Sequence, residues 1–171
     1  VMAEIRNYQT AINAYYTATG NLPGTTSSSM KFDDTGIAWA DLATEGITDV
    51  EPSTTTTSTS LTSSNGISSK IKGSYYVLGY NNDMAANVLF LVAGTNTAAS
   101  LTSAVAGTSS SAKVTNASIS SKDAKFLDDK MDNGIQDSGR VQGFETGATS
   151  DCNFSSTSDE INCALAVKVG L

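Results

Sequence analysis

The segment from Val1 to Pro23 limits what this chain can fold into more than any other. Ile5, Tyr8, Ile12 and Tyr15 recur at alternating steps of three and four, and Val1 and Tyr16 widen the same stripe. Glu4, Arg6, Asn7, Gln9 and Asn13 fall elsewhere, so the pattern predicts an amphipathic helix over 1–20 that docks one apolar face against a partner element. Gly20 can take the left-handed conformation that ends a helix, and Pro23 cannot continue one. The entry carries no Ser, Thr, Asp or Asn cap, which places a first helical turn upstream of Val1 in this reading. At 171 residues, one domain with a substantial core is expected, so the docking partner should lie within the same chain.

That partner is legible as β patterning. Ile71, Gly73, Tyr75, Val77 and Gly79 alternate with Lys72, Ser74, Tyr76, Leu78 and Tyr80, predicting a strand from Lys70 to Tyr80. Asn81-Asn82-Asp83 supplies turn residues, and Asn87 to Ala93 is a continuous apolar run, as in a strand covered on both faces. The two strands should form an antiparallel hairpin with the opening helix on one side. A short helix from Ile37 to Glu45, capped by Asp34 or Thr35 and stopped by Gly46, would bury Trp39 and Leu42. Pro52 to Asn65 is almost entirely Ser and Thr and reads as a long surface loop or a partly disordered one. Gly94 to Ser121 offers only a candidate strand near Lys113 to Ile119. A helix capped by Ser120 or Ser121 then runs to about Asn133, with Ala124, Leu127 and Met131 on one face and Gly134 as its stop. Strands are predicted at Gly139 to Phe144 and Ile161 to Leu171. The fold class is therefore α+β.

Three ordered motifs add a resemblance. The helix ending Tyr15-Tyr16-x-x-x-Gly20-x-Leu22-Pro23 resembles the globular-domain half of the long first helix of bacterial type IV pilins and type II secretion pseudopilins. Trp39-x-x-Leu42-x-x-x-Gly46-Ile47 is similar to a Trp and Leu helix of prepilin-type proteins. Leu127-Asp128-x-Lys130-Met131-Asp132-Asn133-Gly134, then Gly139-x-Val141, looks like a further motif of that group. The matches touch the first quarter and the last third of the chain and leave the Ser/Thr-rich middle unmatched. The resemblance implies a pilin-like fold over 1–171, with a helical spine at 1–20, a helix-to-sheet loop region at 24–69, and the sheet with a variable region at 70–171. The spine would pack on the sheet through Ile5, Tyr8, Ile12 and Tyr15. The hydrophobic, Glu-containing segment and cleavage site typical of the family do not occur in the sequence, and the resemblance places them before Val1.

Cys152 and Cys163 are the only cysteines. With no histidine and no second pair they do not suit zinc, and their polar intervening loop reads as a disulfide made in an oxidising compartment; two buried thiols are the other reading. The resemblance implies a C-terminal bridge bounding a displayed loop. A net charge of −7 argues against nucleic acid or an anionic membrane as a direct electrostatic partner. The longest apolar candidate, Val88 to Ala93, falls far short of the roughly 20 residues of a spanning helix.

The absence of histidine removes the commonest general base, and no nucleophile elbow, phosphate loop or dinucleotide fingerprint occurs. Ser68, Ser69 and Lys70 adjoin as expected by chance in so Ser-rich a chain, so no catalytic residue and no enzyme are expected. The densest acidic group contains Asp123, Asp128, Asp129, Asp132 and Asp137. Asp128, Asp132 and Asp137 are candidate calcium ligands, although an EF-hand frame started at Asp129 puts Met131 and Arg140 where oxygen ligands are required. No other cofactor is expected.

The functional expectation is a structural subunit of a type IV pilus-like filament on the bacterial surface. Its partners would be further copies, other pilins, the pilus assembly machinery and, before assembly, the inner membrane through the preceding segment. Ser/Thr-rich loops would provide surface contact or adhesion. The alternatives are a periplasmic type II secretion pseudopilin and a secreted calcium-dependent binding or adhesion domain.

Overall fold

A computed structural model describes residues 1–25, 30–32, 35–52, 60–61, 64–94, 96–107, 116–146 and 152–170. Helix α1 (Met2–Thr19) closes on Gly20 at φ 74°, whose N–H donates to the Tyr16 carbonyl. Ile5 and Ile12 are fully buried, and Tyr8, Tyr15 and Tyr16 are partly so. Helix α2 (Thr35–Thr44) buries Trp39 and Leu42. It ends with Gly46 at φ 66° and the Ile47 N–H bonded back to the Leu42 carbonyl at 3.0 Å, which satisfies a terminal carbonyl. Thr35 lies inside the helix, and its hydroxyl accepts from the Leu78 N–H at 2.7 Å, tying α2 to the sheet. The other candidate cap, Asp34, is outside the described residues.

Two short strands, β1 (Ser60–Leu61) and β5 (Asn96–Thr97), pair antiparallel with each other. This amends the expectation for Pro52 to Asn65, since part of that stretch joins a ladder; 53–59 and 62–63 lie outside the described residues. The main sheet has six strands, all paired antiparallel: β2 (Ile67–Ser68), β3 (Ser74–Asn81), β4 (Ala86–Ala93), β6 (Ile119–Ser120), β7 (Val141–Glu145) and β8 (Ile161–Lys168). Their order is β2-β3-β4-β8-β6, with β7 pairing β8 along its other edge.

Strand β3 begins four residues later than its alternation suggests. The Ser69 hydroxyl accepts from the Ile71 N–H, the Ser74 N–H returns to the Ile71 carbonyl, and Gly73 sits at φ 78°, so 69–74 forms a turn rather than extended chain. The β3–β4 hairpin pairs Ser74 with Ala93 through to Asn81 with Ala86.

Side-chain alternation sorts the core into two clusters on opposite faces of the sheet. One gathers Ile5 and Ile12 of α1, Trp39 and Leu42 of α2, and Tyr76, Leu78, Leu89, Leu91, Leu165 and Val167 of the strands. The other gathers Val77, Val88, Phe90, Val92, Phe144 and Ala166 with Leu101, Ala104 and Ala106. Leu101 belongs to helix α3 (Ala98–Ser103), which the sequence does not predict. Its single leucine in an Ala/Ser/Thr run carries almost no periodicity. Asn81, buried at the end of β3, donates to the Leu101 and Ala104 carbonyls and accepts from the Met84 N–H, so one side chain joins α3 to the hairpin turn. The strand expected near 113–119 is reduced to β6, with 113–115 outside the described residues. Helix α4 (Ser121–Met131) begins under the Ser120 hydroxyl, which accepts from the Asp123 N–H at 3.1 Å.

Candidate functional site

Between α4 and β7 the chain makes a turn held by carboxylates. Asp132 ends the helix, and its Oδ2 accepts from the Val141 N–H at 3.0 Å and from the Arg140 N–H. This geometry explains the spacing from Asp132 to Gly139-x-Val141. A Cβ on Gly139, already at φ 84°, would lie 1.9 Å from Asp132 Oδ2, and one on Gly134, at φ 74°, would lie 2.0 Å from Asp129 Oδ1. Only glycine lets the two carboxylates close on the backbone. Asp129 in turn pairs with Lys125 one helical turn earlier, at 2.6 Å.

Asp128 sits beneath this turn, fully buried, with neither carboxylate oxygen in a well-formed hydrogen bond among the described residues. Burial lifts its pKa from 3.8 to about 6; the backbone N–H groups of Gly134 and Asn133 hold it back in part, while the neighbouring Asp132 and Asp129 charges push it further up.

The disulfide segment docks on the same turn. Cys152 and Cys163 are bonded, with Cα atoms 4.8 Å apart, and both are buried. Gln136 clamps the segment from the turn: its Nε2 donates to the Cys152 carbonyl and its Oε1 accepts from the Phe154 N–H at 3.1 Å. Ser121, at the start of α4, donates through its hydroxyl to Asn162 Oδ1 and accepts from the Asn153 N–H. Phe154 lies so close to β7 that a Cβ on Gly143 would be 2.6 Å from its ring. Gln136, Ser121 and Asn162 are therefore the residues that seat the bridge. Nothing in the sequence pattern marks Gln136 or Asn162, and it marks Ser121 only as an alternative cap to Ser120, because each acts on a backbone far away along the chain.

Around α1, Tyr8 makes edge-to-face contacts with Trp39 at 4.9 Å and Tyr76 at 5.2 Å between ring centroids. The Tyr76 hydroxyl donates to Glu4, and burial pushes its pKa well up. Tyr15 faces α2, where burial and the Asp41 and Glu45 charges raise its pKa. Gln9 donates to the Lys168 carbonyl at 2.8 Å, joining α1 to the end of β8. A cleft of about 260 Å³ opens between α1, the end of α4 and the start of β7, lined by Arg6, Gln9, Met131, Arg140, Val141 and Val167.

The three candidate calcium ligands are placed differently from one another. Asp128 is buried beside backbone N–H groups, Asp132 is engaged by two of them, and Asp137 lies against Gly107 in a second cavity of about 350 Å³ shared with Phe154. Of the three, only Asp132 has a carboxylate oxygen, Oδ2, occupied by backbone N–H groups among the described residues. Among the described residues no group of three or more acidic, His or Cys side chains is placed to hold a metal. Nor is any described helix long and apolar enough to cross a membrane.

Comparison of the chain with protein-family models, with curated proteins and with solved structures returned no significant match.

Proposed function

We propose that this chain is the globular part of a filament-forming subunit of the type IV pilin kind, displayed on a bacterial surface and working by assembly rather than catalysis. The reading rests on one observation. The three sequence segments that carry the resemblance, far apart along the chain, meet around α1. Tyr8 touches Trp39 of the second segment, and Arg6 and Gln9 share a cleft with Met131, Arg140 and Val141 of the third.

In this reading α1 is the lower part of a spine, docked on an antiparallel sheet by Ile5, Tyr8, Ile12 and Tyr15. A preceding apolar segment anchors the subunit in the inner membrane and later packs with other copies in the filament core. The disulfide segment and the Ser/Thr-rich loops face outward. Repeated heterologous contacts that do not close into a ring generate the fibre. The test is to express the complete gene with its assembly machinery, shear the cells, and label the released filaments with antibody against this chain. Decorated filaments are expected. Undecorated filaments, with the chain recovered only as a soluble monomer, would remove the proposal.

A further inference from the structure

Arg6 and Arg140 are the only arginines in the sequence, and both line the same cleft of about 260 Å³. Both are exposed, and among the described residues neither guanidinium has an ion-pair partner. Of the nearby Asp132 carboxylate, Oδ2 is taken up by the Arg140 and Val141 N–H groups. Gln9 is held over the cleft by its bond to Lys168, while Met131, Val141 and Val167 give it an apolar wall. Two forked donors over an apolar wall suit a carboxylate carried on a short aliphatic stem.

The same molecule carries an unanswered acidic surface. Glu45, Asp49 and Glu51, at the exit of α2, are exposed and have no cationic partner among the described residues. Glu45 acts on Tyr15, near the far end of α1 from the arginine cleft. From Arg6 to Tyr15 the helix rises about 14 Å, too far for an ion pair within one subunit. A basic cleft and an acidic exit displaced along one helix axis are complementary between copies stacked head to tail, and such a contact propagates without closing.

We infer that the Arg6–Arg140 cleft is a carboxylate receptor, and that its occupant is the acidic exit of α2, Glu45 to Glu51, of a second copy of this chain. The inference rests on the filament reading and adds to it the charge pair that sets the stacking.

The test uses the complete gene with its assembly machinery and reads sheared filament yield, with thermal melting to verify that each variant folds. R6E/R140E should lower the yield about tenfold, as loss of a charge-assisted contact predicts, and E45K/D49K/E51K should do the same. Combining the two sets, which swaps the charges, should restore the yield to within about twofold of the parent. Parent-like yield from R6E/R140E, or failure of the combined set to recover, would overturn the receptor while leaving the filament reading intact. If the parent chain makes no filaments the broader reading falls, and sedimentation equilibrium of the 171-residue chain then decides the receptor. Self-association that weakens with added salt and with R6E/R140E supports it. Association insensitive to both, or a cleft saturated by citrate with no effect on association, overturns it.

Discussion

A carboxylate buried at Asp128 without well-formed hydrogen bonds destabilises the folded state whenever it is charged. Its folded pKa of about 6 exceeds the ordinary 3.8, so the folded chain keeps this proton to a higher pH than the unfolded chain does. The sign follows directly: this group's effect is absent below about pH 4, grows as pH rises, and is nearly complete above about pH 6, where it costs about 3 kcal/mol, of which an uncharged but still polar amide at the same site recovers only part. Asp128→Asn keeps the shape and removes the charge. Urea unfolding at pH 7.5 should show the variant more stable than the parent by about 1–2 kcal/mol, with the gain vanishing near pH 4. Parallel pH curves for the two proteins would refute this account. The sequence makes Asp128 visible as part of an acidic cluster, but it does not distinguish a buried carboxylate from the amide-bonded Asp132 four residues on. Helical spacing puts both on one face, and only the path of the chain after Gly134 decides which is covered.

At the scale of elements, helix ends and the hairpin were legible because their signals are local. Gly20 and Gly46 adopt the positive φ that a left-handed stop requires, whereas α4 ends at Asp132 with φ −149°, two residues before the expected stop at Gly134, whose positive φ belongs to the turn that follows. Strand β3 shows where local reading fails: alternation continues through Ile71 and Gly73, yet hydroxyl bonds from Ser69 and a left-handed glycine bend the backbone first. Helix α3 shows the opposite failure, an element held by burial of Leu101 and by the bonds from Asn81 rather than by its own pattern. The disulfide belongs to this scale too, since it fastens the segment before β8 to the third residue of that strand. Replacing both cysteines by serine, or reducing the bridge, should lower stability by about 3 kcal/mol on the loop-entropy model. Denaturant midpoints measured with and without reductant check this, and unchanged midpoints would show that the bond contributes little.

For the whole molecule the decisive fact is that β4 is packed on both faces. Leu89 and Leu91 point to the cluster with α1 and α2, while Val88, Phe90 and Val92 point to the cluster with α3. Leu89→Ala should cost about 2–5 kcal/mol and Phe90→Ala about 3–5, each through lost burial and a residual cavity. Because one strand serves both clusters, each variant should lower the same single melting transition in calorimetry. Two separable transitions would mean that the faces fold independently. The apolar run from Asn87 to Ala93 already implied double coverage, and the stripe on α1 implied that a helix docks. What covers the second face had no sequence signal, since Ala98 to Ala106 is too weakly patterned to announce a layer. The amphipathic helix α1, the stops of α1 and α2, and the hairpin were thus determined by the sequence alone, through periodicities and glycine conformations that operate within a few residues. The seating of the bridge by Gln136, the burial of Asp128 and the meeting of both arginines in one cleft were decided only by the tertiary structure, because each depends on chain segments that become neighbours only after the sheet has closed.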